Sequence, residues 1–301
     1  MATETPQLRP LGIGEILDVA MKIVWRNAGT LVRVVIFVVL PVQIVSTVIS
    51  LSASPSSDTG VSGNDVAAAL VGIGAAGILS FLGSTLASGA CFRAIAGAYL
   101  GHRTGWRDSI RYALQRLHSI LWVTILVGVV TVIGFILCII PGIYLGVGFA
   151  LAIPVLLTED ARGGRALSRS RELVRGNWWR VFAVVALGYL LSGILSGAIE
   201  GVVAGLTTVS TTPDSVVSAL VNIVAGTVSS VITTPFVAAF LTVLYFDLRV
   251  RKEAFDLQLL AERIGVEPPV GGTALPPPGP GDFDEAPPFW PPPPGWKPGG
   301  R

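Results

Sequence analysis

Six apolar runs, each separated by a polar break, constrain this chain more than any other feature. They fall at residues 31–51, 66–91, 120–140, 143–157, 181–206 and 216–246. Crossing roughly 30 Å of hydrocarbon takes about 20 helical residues, so each run reads as a membrane span. The run at 143–157 is short, but Pro141-Gly142 just before it is a turn signal. The arginine-rich flanks on either side of the third and fourth runs call for an even number of crossings, which a tight hairpin supplies. Composition agrees: 51% of the 301 residues are hydrophobic and 13% are charged, against roughly 25% charged in a soluble domain.

The distribution of positive charge sets the orientation. All 21 basic residues lie before or at the start of span one, between spans two and three, between spans four and five, or after span six. The other three connections carry none, and hold Asp58, Asp65 and Asp214. The positive-inside rule then places both termini and both arginine-rich loops in the cytoplasm. About thirty mostly amphipathic residues precede the first span, so no cleavable signal peptide is expected. The excess of arginine over lysine, 18 to 3 in an Ala/Gly/Val-rich background, points to a GC-rich bacterial genome and hence a bacterial inner membrane.

Each cytoplasmic segment before an odd-numbered span has the spacing of an amphipathic helix. In 13–27, Ile13, Ile16, Leu17, Ala20, Ile23 and Val24 oppose Glu15, Asp18, Lys22 and Arg26. In 106–118, Trp106, Ile110, Ala113, Leu114 and Leu117 oppose Arg107, Arg111 and Gln115. In 164–177, Ala166, Leu167, Ser170, Leu173 and Val174 oppose Arg165, Ser168, Arg169, Glu172 and Arg175. Asn27, His118 and Asn177 occupy the same place in the three copies and are read as the bends that end them. The predicted fold is all-α: a polytopic bundle of six transmembrane helices in three hairpins, each preceded by an in-plane amphipathic helix. Residues 1–30 form the first such segment, and 31–264 the six-span domain with a juxtamembrane helix. Residues 265–301, with 13 prolines, form a proline-rich disordered tail, a candidate ligand for a cytoplasmic partner. The repeats run parallel, which weakens an analogy with inverted-repeat transporters.

Within the spans, Gly193, Gly197, Gly201 and Gly205 recur every four residues. This spacing lets helices approach closely, so the fifth span is expected to pack inside the bundle or between protomers of a homo-oligomer. Pro41, Pro154 and Pro235 are expected to kink the first, fourth and sixth spans. Glu200 is the one carboxylate placed inside a span and is an intramembrane candidate. Asn222 and Gln43 are polar span residues suited to interhelical hydrogen bonds.

Two cysteines (Cys91, Cys138) and two histidines (His102, His118) make neither a disulfide framework nor a metal cluster. No phosphate loop or catalytic constellation is present, so no enzyme, metal or cofactor is expected, and no nucleic-acid partner. The arginines of the cytoplasmic helices, Arg107, Arg111, Arg165, Arg169 and Arg175, suit anionic lipid headgroups or a partner protein. A small transporter or channel using Glu200 and the glycine-rich fifth span is the alternative.

The segments RPLGIGEILDVAMKIVWRNAGTLV, PGIYLGVGFALAIPVLLTED, ALSRSRELVRGNWWRVF and YFDLRVRKEAFDLQLL resemble the bacterial six-span family known as the membrane domain of glycerophosphoryl diester phosphodiesterase. The resemblance covers residues 9 to about 260. In some members that domain is fused to a catalytic barrel using histidines, acidic residues and a divalent metal. No match to that barrel occurs in these 301 residues, so the resemblance implies a membrane protein without its catalysis.

Overall fold

The computed structural model describes residues 11–52, 63–101, 104–159, 161, 163–209 and 215–253. The proline-rich tail, Asp58, His102, Arg103, Arg162 and Asp214 lie outside them. The described residues form nine helices and no strand: α1 (Ile13–Arg26), α2 (Ala28–Ser52), α3 (Gly63–Tyr99), α4 (Trp106–Leu137), α5 (Ile139–Phe149), α6 (Ala152–Glu159), α7 (Gly164–Val174), α8 (Trp178–Val209) and α9 (Ser215–Glu253). Six segments are long and apolar enough to cross a membrane: α2, α3, α4, α5 with α6, α8 and α9. The protein is an all-α, multi-pass membrane bundle.

The helix breaks fall where the backbone chemistry permits them. Asn27 ends α1 by donating its side-chain amide to the Ile23 carbonyl at 2.9 Å. Gly176, at φ +88°, makes the left-handed turn between α7 and α8 that a side chain would resist. At His118 the expected bend does not form, and α4 runs unbroken for 32 residues. Between Leu117 and Ile120 there is no glycine, proline or asparagine to end a helix. At 1.5 Å per residue α4 is roughly 48 Å long, so its amphipathic first turns extend past the hydrocarbon instead of folding flat.

The hairpin between α4 and α5 turns at Cys138, in extended backbone, three residues before the expected Pro141-Gly142. Pro141 sits in the first turn of α5, where its missing N–H has no intrahelical acceptor to lose. Gly142 serves packing instead: a Cβ there would lie 2.6 Å from the Phe135 ring. The fourth span divides at Ala150–Leu151, four and three residues before Pro154, where the proline ring would clash with a helical carbonyl. Helices α2 and α9 continue through Pro41 and Pro235.

The core gathers around the second half of α9. Phe240, Leu244, Tyr245, Phe246 and Leu248 are fully buried. Phe240 lies over Gly188 of α8, where a Cβ would meet its ring at 2.7 Å, and the Phe246 ring stacks on Tyr99 of α3 at 5.0 Å. The outer faces stay apolar and uncovered, as in Ile136 and Leu137, which suits a lipid surround. The glycine ladder of α8 does not pack inside the bundle, which leaves a second protomer as its expected partner: Gly193, Gly197 and Gly201 are exposed, and a Cβ on any of them would meet nothing within 4 Å.

Candidate functional site

The chain brings its charged segments to one end of the bundle and ties them there through two carboxylates. Asp247 lies on α9, inside an apolar stretch that keeps its side chain fully buried. A buried carboxylate is costly unless paired and hydrogen-bonded, and here both conditions hold. Arg180, near the start of α8, donates to it at 3.0 Å, and Arg251, one turn further along α9, at 3.1 Å. The Leu11 amide N–H, just before α1, donates at 2.8 Å. The Leu11 carbonyl in turn accepts from Arg251 at 2.9 Å and from Arg180.

Glu159, at the end of α6, is the second anchor. It accepts from Arg169 of α7 at 2.8 Å and from the Tyr245 hydroxyl at 2.8 Å, with Arg249 at 3.8 Å. Lys252 donates to the Glu172 carbonyl at 2.7 Å and to that of Arg175, placing a cation at the C-terminal end of α7, where the last carbonyls lack helical partners. Ser170 fixes the other side of α7 by donating to the Gly148 carbonyl at 2.8 Å. Tyr112 of α4 donates to the Leu157 carbonyl at 3.0 Å. Its ring carries the guanidinium groups of Arg93 and Arg116 at 4.5 and 4.8 Å from the centroid, within cation–π range.

The predicted arginines divide into two groups. Arg107, Arg111, Arg165 and Arg175 are exposed and form no ion pair with a described residue. Arg107 rests over the Trp106 ring at 5.0 Å. Arg169 belongs instead to the internal set, held by Glu159 and by Glu172 at 3.5 Å. Glu200 is exposed on α8 between exposed Gly197 and Gly201. Asn222 is on α9 at the opposite end from the arginines, on the wall of a cleft it shares with Gln43 of α2. Arginine side chains and Glu200 therefore do not meet in one site.

Sequence reasoning missed Asp247, Glu159 and Tyr245 as partners. Asp247 follows directly on the sixth apolar run and precedes Leu248, Arg249 and Val250. A carboxylate one residue past such a run, with arginine four residues on, was the available signal. No cluster of His, Cys, Asp or Glu able to hold a metal occurs among the described residues.

Residues 110–267 match the family described as Domain of unknown function (DUF8558). That is just over half of the chain, from the first turns of α4 past the end of α9, and the chain belongs to this family. Both anchoring carboxylates lie inside the matched region. Nothing in the match links the chain to the glycerophosphoryl diester phosphodiesterase membrane domain. No curated protein and no solved structure matches it.

Proposed function

We propose that this member of the family is a non-enzymatic protein of a bacterial inner membrane, with both termini cytoplasmic, that holds anionic lipid headgroups against Arg107, Arg111, Arg165 and Arg175. The supporting observation is the division of the arginines at one end of the bundle. Arg169, Arg180 and Arg251 are occupied by buried or half-buried carboxylates, with Arg249 beside Glu159, whereas these four face outward without an internal counter-charge. Each basic side chain near an anionic leaflet contributes about 1 kcal/mol, so four engaged together contribute about 4 kcal/mol before salt screening. Arg169 drops out of the binding set because Glu159 already neutralises it. The exposed apolar side chains of α1, Ile13, Met21 and Trp25, beside a face of Glu15, Asp18, Lys22 and Arg26, support the same reading, as in an interfacial helix.

A transport reading through Glu200 gains no such support, because the carboxylate is exposed on a helix face that meets no neighbour at Gly197 or Gly201. The test is reconstitution into nanodiscs of mixed phosphatidylcholine and phosphatidylglycerol, followed by mass spectrometry of the retained lipid. The wild-type chain should retain phosphatidylglycerol above its bulk share. Replacing all four arginines by glutamine should reduce that enrichment at least tenfold with folding retained. Unchanged enrichment in the variant would sink the proposal.

A further inference from the structure

The turn between α4 and α5 differs from the connections that follow α2 and α8. Residues 52–65 and 207–215 carry Asp58, Asn64, Asp65 and Asp214 among serines and threonines. Between Thr131 and Tyr144 there is no charged, amide or hydroxyl side chain. Ile136, Leu137 and Ile140, around the turn, are 79, 76 and 76% exposed, and Cys138 at its apex is exposed too. A tip emerging on the far side of a membrane would present this apolar surface to water. Length and composition allow α4 and α5 with α6 to cross, but their attachments do not.

Three points along α5 and α6 are tied to the arginine-bearing end. Glu159 accepts from Arg169 and Tyr245, and the Gly148 carbonyl accepts from Ser170 of α7 at 2.8 Å. Trp178 donates its indole N–H to the Tyr144 carbonyl at 3.5 Å, and the two rings stack at 5.8 Å. Trp178 begins α8 between Arg175 and Arg180, at the membrane–water level where indoles concentrate. The indole bond keeps the Tyr144 and Trp178 backbones within about 10 Å of each other. Cys138 precedes Tyr144 by six residues, about 9 Å along a helix. Even aligned with the membrane normal, the apex therefore lies about 20 Å from Trp178, short of the roughly 30 Å of hydrocarbon. Helix α7 gives the same answer. Arg165, Arg169, Arg171 and Glu172 keep it out of the hydrocarbon, and Gly148, bonded to it, is only about 15 Å from Cys138 at helical rise.

The turn limits what its depth costs. The Cys138 N–H donates to the Gly134 carbonyl at 3.0 Å, and the Cys138 carbonyl accepts from Gly142 at 3.3 Å. Pro141 has no N–H to strand, and the negative end of the α4 dipole meets the positive end of the α5 dipole. We propose that α4 and α5 form a re-entrant hairpin, which enters from the arginine-bearing end, turns at Cys138 inside the hydrocarbon and rests its apolar tip against lipid acyl chains. The chain then crosses the membrane four times, through α2, α3, α8 and α9. Both arginine-rich loops stay on one side, because a re-entrant hairpin returns to the side it left.

Spin labelling of the native Cys138 in phosphatidylcholine–phosphatidylglycerol nanodiscs tests this, since the other cysteine, Cys91, is buried. Power saturation compares collisions of the label with oxygen, which partitions into hydrocarbon, and with nickel ethylenediaminediacetate, which stays in water. The reference is Ser52→Cys in a Cys138→Ser background, at the end of α2 beside the polar connection. The oxygen-to-nickel collision ratio at Cys138 should exceed that at Ser52→Cys at least threefold. A smaller difference would put the apex in water on the far side and overturn the proposal. A label shielded from both reagents would mean that protein covers the tip, and would overturn it as well. Ile140→Cys in the Cys138→Ser background, close to the apex and equally exposed to solvent in the isolated chain, gives the same readout if a label on Cys138 disturbs the turn.

Discussion

Helix α8 carries a glycine every fourth residue from Gly193 to Gly205, whereas α9 has a single glycine, Gly226; yet α9 is the helix the bundle encloses. Among the described residues of α8 the buried positions are Val181, Val184, Gly188 and Ser192, a stripe at helical spacing that faces α9. Gly193 begins its ladder one residue past that stripe, about 100° around the helix. Only Gly188 is in phase with the packing face, and it is the glycine that receives the Phe240 ring. Small-residue spacing therefore measures how closely a partner could approach, while phase relative to the bulky stripe decides whether a partner is there. In α9 the partner surface comes from large side chains and one buried carboxylate.

The sharpest break in this contrast is Asp247→Ala. It leaves Arg180 and Arg251 without their shared counter-charge and should cost about 3–5 kcal/mol, visible as a large fall in thermal unfolding temperature in detergent. Phe240→Ala comes next. It empties the contact over Gly188 and should destabilise by about 3 kcal/mol, with Gly188→Ala costing about 1–3 kcal/mol by overpacking. Combining Gly188→Ala with Phe240→Leu should recover part of that loss, which a double-mutant cycle measures. Glu159→Gln should cost about 1–3 kcal/mol, because Arg169 and Tyr245 keep a weaker, uncharged acceptor. At the small end, Gly197→Ala should stay within about 0.5 kcal/mol in the monomer. A shift toward monomer on size-exclusion chromatography of that variant would instead identify the ladder as a contact between copies.

Much of the architecture was legible because membrane spans obey length and charge rules that tolerate local error. The six runs match the six helical spans, with boundaries displaced where helices outlast the hydrocarbon, as at Trp106–Leu137. Asn27 ends α1 as expected, though at φ −112° and with its amide on the Ile23 carbonyl instead of in a left-handed conformation, and the left-handed turn before α8 falls on Gly176, one residue ahead of the expected Asn177. His118 ends no helix, since nothing in Leu117-His118-Ser119 opposes continued helix. The candidate arginines were legible as a group, but their division was not: whether Arg169 faces lipid or Glu159 depends on how α6 and α7 fold back on each other. Asp247 was equally hidden. Its pairing with Arg251 is local, but its burial follows from Leu11 and Arg180, which are 236 and 67 residues away in sequence.

That long separation orders one step of assembly. During synthesis the Leu11 amide has no partner until Asp247, its acceptor, is made after the sixth apolar run. The N-terminal helix can meet α2, α3 and α8 earlier, with Arg180 already able to reach the Leu11 carbonyl, yet the buried Leu11–Asp247 bond closes last, so inserting the final span completes the fold at both ends of the described chain.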